Sequence, residues 1–413
     1  MVSKTILDND IRVITEEIDH VRSVSIGAWV EGGSRRESLL TSGTAHFIEH
    51  MLFKGTERRS AFDIASAIDS VGGVMNAATG KELTSLYIKI PDYHLEMAVD
   101  LLADIFTGSR FAEEEIDRER SVILQEIRMV EDTPDDYIHD FFDGMFWRGH
   151  PLGLPILGTK ERVESFRRDD LFRFFQSHYG GGNLVLTAAG NLRHCRFEEL
   201  VRQSFGSHAG TFLRGPLEAP AAMPGKAVLR KELEQAHLIV GAPAPSAVSP
   251  ERHAAFLLNA VLGGSMSSRL FQEIREKRGL AYDVGSYLAP YRDAGLFGVY
   301  AGTEGARVRE VLGLIREGLE RSCAALLTEK ELQSAKELLK GNFLLGMEST
   351  DNRMTALARN EISFGRQMTP EEIIERIDAV EREEIRSLAG RMFRPEAMTV
   401  AALGPVSEED LVF

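Results

Sequence analysis

The sequence has little cysteine and no long apolar run. Its 413 residues include two cysteines, Cys195 and Cys323, and neither belongs to a C-x-x-C pair. This usage is typical of buried thiols in a reducing compartment and argues against a disulfide framework. No apolar run approaches the length of a membrane span, and residues 1–10 lack the apolar core of a signal peptide. These absences predict a soluble cytoplasmic protein without a membrane partner.

Positive charge is outnumbered by negative charge. Lys and Arg together number 48, against 63 Asp and Glu, which gives a formal net charge of −15. This sign argues against nucleic acid as a partner, because the phosphates would be repelled. The negative charge would attract basic peptides over long range, or it serves only solubility, and composition does not separate the two.

The feature that carries chemistry is the segment His46-Phe47-Ile48-Glu49-His50. Two histidines at this spacing lie on one face of a helix, where both imidazoles can bind one zinc ion. Glu49 lies about 100° around the helix from His50, where a general base can take a proton from a metal-activated water. The order H-x-x-E-H is the zinc-peptidase motif H-E-x-x-H in reverse. The alternative is an amphipathic core helix that contains this glutamate by chance.

Local signals favour a helix at this segment. Residues 45–54 contain no helix breaker, and Gly55 is placed where a glycine commonly follows a helix C-terminus. Three side chains near the expected start offer capping oxygens: Thr41, Ser42 and Thr44.

A third zinc ligand is expected on another element, because catalytic zinc usually has three protein ligands and a water. Residues 111–132 predict a long helix, since their apolar residues recur at helical spacing. Glu119 and Glu126 lie two turns apart on one face of this helix and flank an apolar run. At least one of them should point inward; the alternative is that both are solvated, as most helix glutamates are.

Residues 43–56, which contain the H-x-x-E-H motif, and residues 119–126 resemble the pitrilysin/insulinase family of zinc peptidases. The similarity is greatest to the branch that includes the mitochondrial processing peptidase. The resemblance implies one zinc ion per chain with three protein ligands: His46, His50 and Glu126. It also implies that Glu49 is the general base and that Glu119 orients a ligand by hydrogen bonding.

The second half of the chain repeats the first. Residues 238–242 match 24–28 at an offset of 214, and residues 327–332 match 111–116 at an offset of 216. Tyr300 likewise matches Tyr87 at an offset of 213. Offsets that agree so closely indicate an internal duplication. The predicted fold class is therefore α+β, with two homologous domains, each an antiparallel sheet with helices packed on one face.

The duplication suggests domain boundaries. We expect a zinc-binding catalytic domain at residues 1–208, a Gly/Pro-rich linker at 209–226 and a homologous metal-free domain at 227–413. The second copy lacks the H-x-x-E-H motif, and at the offset of 216 the two glutamates are replaced by Ala335 and Asn342.

Residues 263–282 resemble the Arg/Tyr element of the family's non-zinc half, which maps to Arg275 and Tyr282. Such a pair can donate hydrogen bonds to a developing oxyanion and to the substrate backbone. Arg278 is close enough in sequence to compete with Arg275 for this role. The alternative is an ordinary amphipathic helix with solvated arginines.

Residues 73–79 resemble the family's edge strand, which binds substrate by adding the peptide as a further strand. The candidate substrate-binding residues are Asn76, Ala77 and Ala78. A plain turn followed by a strand is the alternative.

Together these features predict a zinc-dependent endopeptidase that hydrolyses extended or unfolded peptides in an enclosed chamber, with basic peptides as candidate substrates. The resemblance implies that four α+β units form the chamber, so a homodimer, or a heterodimer with a related chain, is expected. Two alternatives remain: a non-catalytic processing-peptidase-like scaffold or core subunit, and a small-molecule metallohydrolase.

Overall fold

The computed structural model describes residues 1–208 and 217–413. The strands of the first part are β1 (Val2–Ile6), β2 (Arg12–Glu17), β3 (Ser23–Glu31), β4 (Val74–Thr79), β5 (Leu83–Pro91) and β6 (Leu184–Gly190). Its α-helices are α1 (Thr44–Leu52), α2 (Ala61–Asp69), α3 (Leu95–Gly108), α4 (Glu113–Glu131), α5 (Pro134–Phe146), α6 (Lys160–Ser165), α7 (Arg168–His178) and α8 (His194–Phe205).

The second part repeats this alternation of strands and helices. Its strands are β7 (Gly225–Arg230), β8 (Ala236–Pro243), β9 (Ala281–Pro290), β10 (Gly295–Thr303) and β11 (Thr399–Gly404). Its α-helices are α9 (Arg252–Leu262), α10 (Val308–Ala324), α11 (Glu329–Gly346), α12 (Thr350–Phe364), α13 (Pro370–Ala379) and α14 (Arg382–Met392). A π-helix covers Phe271–Lys277.

One compact unit comprises Met1–Arg128, Leu154–Leu217 and Gly346–Gln367. Its sheet has the strand order β1-β2-β6-β3-β5-β4. The β2–β6 pair is parallel, and the other neighbouring pairs are antiparallel. The main core lies between one sheet face and helices that include α1, α3, α4, α7 and α8.

The opposite face of this sheet is also covered. Val24 and Ile26 of β3 lie in the main core, whereas Trp29 of the same strand packs with Met354 and Leu357 of α12. This arrangement follows from the alternation of side chains along a strand, which sends successive residues to opposite faces. The central strands are therefore buried on both sides.

The other compact unit comprises Met129–Gly153, Glu218–Leu345 and Met368–Phe413. Its sheet order is β7-β11-β8-β10-β9, which repeats β2-β6-β3-β5-β4 strand for strand, including one parallel pair, β7–β11. Helices α9, α10, α11 and α14 contribute to the core on one face. Helix α5 packs on the other face, where the Phe142 ring sits so close to Gly241 that a Cβ there would lie 2.3 Å from it.

The predicted α+β class with two related sheets is confirmed. Two details of that prediction are incomplete, because each sheet contains one parallel pair and each carries a helix on its second face. Helices α5 and α12 each pack on the sheet formed by the other half of the chain, so neither compact unit is one continuous segment.

The expected linker, residues 209–226, lies partly outside the described residues, which exclude 209–216. Residues 217–224 form no helix or strand, and β7 begins at Gly225. The predicted burial of both thiols is wrong, because Cys195 is exposed and Cys323 is only partly buried. Within the described ranges, no helix is both long and apolar enough to cross a membrane.

Candidate metal centre

Helix α1 places the two motif histidines side by side. Phe47, Ile48 and Met51 are buried in the core and fix which face of the helix points inward. His46 and His50, one turn apart, bring their ring centroids within 4.7 Å in an edge-to-face arrangement. The predicted helix is therefore present, although it spans Thr44–Leu52 rather than residues 45–54.

The predicted capping residues of α1 are wrong. The N-cap is Gly43, in a left-handed conformation with φ 92°, and it offers no side chain to the helix. Thr44 Oγ1 instead donates to the Thr41 carbonyl at 2.6 Å. The C-cap is Phe53, so Gly55, with φ 103°, lies two residues beyond it.

Glu37 takes the place of the missing cap. Its carboxylate accepts the backbone N–H of Gly43 at 2.9 Å and that of Ala45 at 2.6 Å. The side chain is buried, and burial raises the pKa of Glu37 to about 8, although the backbone donors act in the opposite direction. Glu37 is not among the residues predicted from the sequence. Its only signal is an acid a few residues before a helix whose own N-cap is glycine.

Glu126 of α4 completes a three-residue cluster. Its Oε2 lies 3.7 Å from Nε2 of His46 and 3.5 Å from Nε2 of His50. The possible ligand atoms of the three residues all lie within 4.8 Å of one another. In a tetrahedral zinc site with bonds of about 2.1 Å, neighbouring ligand atoms lie about 3.4 Å apart. The cluster therefore fits a zinc ion with a further coordination position for water.

Glu119, two turns before Glu126, supports the cluster. Its Oε2 lies 2.9 Å from Nδ1 of His50, and its Oε1 lies 2.7 Å from Nζ of Lys54. The Glu119 side chain is 6% exposed. Burial raises the pKa of this carboxyl, but the hydrogen bonds to His50 and Lys54 outweigh it and lower the pKa overall. A carboxylate that accepts Nδ1–H leaves Nε2 of His50 as the metal-binding nitrogen.

The two histidines differ in their electrostatic surroundings. Burial, together with the charge on His50, lowers the pKa of His46 to about 3. Burial also acts to lower the pKa of His50, but Glu119 and Glu126 raise it overall. A neutral imidazole is the form that binds metal, so His46 is prepared for that role. Its buried Nδ1 has no hydrogen-bond partner among residues 1–208 and 217–413.

Glu49 lies on α1 between the two histidines. Burial raises the pKa of its carboxyl, the charge on Glu126 adds to that rise, and hydrogen bonds from the hydroxyl and backbone of Thr79 oppose it. Its buried Oε2 has no hydrogen-bond partner in the described part of the chain. A carboxyl with a raised pKa is suited to accept and return a proton near neutral pH.

The candidate substrate strand β4 lies at the edge of its sheet. The hairpin bond from Gly80 N–H to the Leu83 carbonyl sets the alternation of β4 and β5, so Ala77 and Thr79 fall in non-hydrogen-bonded pairs. Their backbone groups therefore point to the open edge. The Ala77 N–H donates to Asn76 Oδ1 at 2.8 Å, and Ala78 is exposed.

Arg275 and Tyr282 lie together in the second compact unit. The Arg275 guanidinium carbon is 4.9 Å from the centroid of the Tyr282 ring and 4.8 Å from that of Phe271. Tyr282 is 78% exposed. Arg278 instead pairs with Glu273 at 3.0 Å, so the geometry favours Arg275 as the partner of the tyrosine.

The chain matches two family models. Residues 12–160 match the insulinase family, peptidase family M16, and residues 165–339 match the peptidase M16 inactive domain. An uncharacterized zinc protease of Streptomyces coelicolor is 40% identical over 99% of this chain and 90% of its own length. Another from Bacillus subtilis is 39% identical over 98% of each chain.

Two solved structures share the fold. A protease from Helicobacter pylori has a TM-score of 0.90 at 22% identity and covers 98% of this chain and 99% of its own. A peptidase M16 inactive domain from Pseudomonas fluorescens has a TM-score of 0.92 at 19% identity, with 98% of each chain covered. The branch that includes the mitochondrial processing peptidase stays a prediction. By its family models and its relatives, the chain belongs to the pitrilysin/insulinase family, peptidase family M16.

Proposed function

We propose that this chain is a zinc-dependent endopeptidase that hydrolyses extended or unfolded peptides. The observation that supports this most strongly is the cluster of His46, His50 and Glu126 ligand atoms within 4.8 Å of one another. Relatives described as zinc proteases support the same chemistry. When bound, one zinc ion per chain would supply Lewis acidity toward water and the scissile carbonyl.

Glu49 would carry the proton. It would take a proton from the attacking water and return it to the leaving amine, a role that favours a pKa close to the operating pH. Its burial and its position on the helix of both histidines support this role. Glu119 would hold His50 in the correct tautomer and orientation.

The open edge of β4 would bind the substrate backbone. Ala77 presents both of its main-chain groups there, and Asn76 accepts the Ala77 N–H in the structure. Thr79 presents its carbonyl, since its N–H donates to Glu49. Backbone pairing is independent of side chains, which suits an enzyme for varied peptides. The net charge of −15 would favour basic substrates by long-range attraction.

Arg275 and Tyr282 would stabilise the tetrahedral intermediate by donating hydrogen bonds to the oxyanion. We propose that they serve the zinc site of a second chain in a homodimer, or in a heterodimer with a related chain. Four α+β units would then enclose the peptide and exclude folded proteins. A cytoplasmic location remains part of this proposal.

Glu49→Gln tests the base. We expect zinc bound at one ion per chain, as in wild type, and a fall in peptide turnover of at least about 100-fold, the usual contribution of a general base. Glu113→Gln, an exposed acid at the start of α4, is the matched control and should leave both quantities unchanged. Loss of turnover together with loss of zinc would show a structural effect and would not support the assignment.

Mixed dimers test the arrangement in trans. Inactive Glu49→Gln and Tyr282→Phe proteins should regain partial activity on mixing, since a mixed dimer holds one intact site. If subunits exchange and no mixture recovers activity, the arrangement is wrong.

A scaffold without catalysis is the second candidate, since one structural neighbour is described as an inactive domain. That candidate predicts no turnover of a random peptide library by zinc-loaded protein, as read by mass spectrometry. A small-molecule hydrolase would likewise leave the library intact while binding zinc. Cleavage confined to one intact protein would contradict the proposed substrate class.

A further inference from the structure

Phe111 adopts a backbone conformation that is unusual for a bulky residue. Its φ is 49°, in the left-handed region, and its side chain is 1% exposed. Residues other than glycine, asparagine and aspartate rarely enter this region, and surrounding contacts must hold them there. The residue lies two positions before α4, the helix that carries Glu119 and Glu126.

Arg168, the first residue of α7, supplies those contacts. Its Nε donates to the Phe111 carbonyl at 3.0 Å, and its Nη2 donates to the Arg110 carbonyl at 3.2 Å. Its guanidinium lies 5.1 Å from the ring centroid of Phe172. Phe111 packs on the same helix, with ring-centroid distances of 5.8 Å to Phe172 and 5.1 Å to Phe175. One helix therefore fixes both the side chain and the carbonyl of the left-handed residue.

The same turn is bonded to the segment that follows α1. Thr56 and Ser109 form an antiparallel bridge, the Gly55 carbonyl accepts the Arg110 N–H at 3.2 Å, and Glu57 N–H donates to Gly108 at 2.9 Å. Residues 108–111 thus connect the end of the histidine helix with the start of the glutamate helix.

A small change in the direction of α4 at this turn would displace Glu126 by a large distance, because the helix is long. Glu126 lies about 20 Å along α4 from Glu113, at 1.5 Å per residue. A change of about 5° in the direction of the helix start would move its far part by about 2 Å, which is comparable to a whole zinc–ligand bond. Packing of Ile116 and Ile123 fixes the inward face of α4.

We infer that Arg168 is a positioning residue for the metal centre. By holding Phe111 left-handed, it sets the direction of α4 so that Glu126 meets the histidines of α1. This inference rests on the zinc site of the proposed function. Arg168 touches neither metal ligand nor substrate edge among its described contacts.

A pair of substitutions at residue 111 separates the effect of the left-handed backbone from the effect of losing the aromatic ring. Phe111→Asn and Phe111→Val both remove the aromatic ring, but asparagine tolerates the left-handed region and β-branched valine does not. We expect the zinc dissociation constant, from competition with a chromophoric chelator, to be about tenfold weaker for the valine variant than for the asparagine variant. Equal dissociation constants would overturn the role of the turn.

Arg168→Ala removes the hydrogen bonds to the carbonyls of residues 110 and 111 and leaves the core side chains unchanged. Its control is Arg173→Ala, which removes an exposed arginine from the same helix. We expect weaker zinc binding for Arg168→Ala only. Arg168→Lys should rescue part of it, because lysine keeps the charge and the N–H donors but lacks the planar fork that spans both carbonyls. Amide hydrogen exchange of the metal-free proteins gives a second readout, and residues 108–120 should exchange faster in Arg168→Ala.

The two readouts separate this inference from the proposed function. Wild-type protein that binds no zinc would overturn the zinc site, while exchange in metal-free protein would still decide whether Arg168 holds the turn. Zinc binding by wild type with identical affinity and exchange in Arg168→Ala and Arg173→Ala would overturn the positioning role alone.

Discussion

Replacing Glu119 by glutamine should weaken zinc binding without removing a ligand. The Glu119 side chain is 6% exposed, and its carboxylate bridges Nδ1 of His50, at 2.9 Å, and Nζ of Lys54, at 2.7 Å. Glutamine has nearly the same shape, but only its oxygen accepts, so one of the two partners loses its hydrogen bond. Changes to such supporting groups typically cost 10- to 100-fold in metal affinity, which is about 1.4 to 2.7 kcal/mol.

The assay is competition with a chromophoric chelator at fixed pH and ionic strength, with zinc per chain measured separately. Glu113→Gln is the matched control, because it removes an exposed carboxylate from the first turn of the same helix. The expected result is one zinc ion per chain in both variants and a weaker dissociation constant for Glu119→Gln alone. A Glu119→Gln affinity within about threefold of wild type would refute the reasoning, since it would assign the support of His50 to packing.

Three further outcomes follow from the same structure. Burial raises the pKa of Glu37 to about 8 from an ordinary 4.5, so its contribution to stability is full below pH 4.5 and is lost as pH rises through 8. Between these two pH values, urea unfolding should show a free energy of unfolding that falls by up to about 1.4 kcal/mol per pH unit. Glu37→Gln should remove this pH dependence. Ala77→Pro removes a backbone N–H on the open edge of β4 and no ladder bond, so KM should rise about tenfold with zinc affinity unchanged; an unchanged KM would exclude this edge as the substrate strand. Gly241→Ala places a Cβ 2.3 Å from the Phe142 ring and should lower the free energy of unfolding by about 1 to 3 kcal/mol in thermal or urea unfolding, because the ring must move. A variant as stable as wild type would mean that Phe142 and α5 shift without an energetic cost.

The metal centre could be predicted because its signals are local. His46, Glu49 and His50 lie within one helical segment, and spacing alone places the two histidines on one face. Glu119 and Glu126 share a second helix, so a single inward face brings both toward α1. Spacing along the sequence does not show that α1 and α4 lie next to each other. The resemblance to a known family implied this, because it names Glu126 as a ligand together with the two histidines.

The features that were missed depend on contacts distant in sequence or on backbone conformation. Glu37 caps α1 across a loop, and the polar residues preceding the helix looked like better caps than glycine. The burial of the second face of β3 also could not be predicted from the sequence. That face carries Ser25 and Gly27 beside Trp29, a pattern resembling a solvent face, yet α12 packs there from far along the chain.

The duplication shows that the fold and the metal chemistry make separate demands on one position. At the offset of 216, Ala335 of α11 takes the place of Glu119, and both residues are 5% exposed. A buried carboxylate is tolerated only where partners compensate for its lost hydration, and removing such partners typically costs about 3 to 5 kcal/mol. Glu119 has His50 and Lys54, whereas α9 of the second copy carries no H-x-x-E-H motif. Burial at this position is therefore common to both copies of the α+β unit, and the charge is present only in the copy that contains His50 for it to orient.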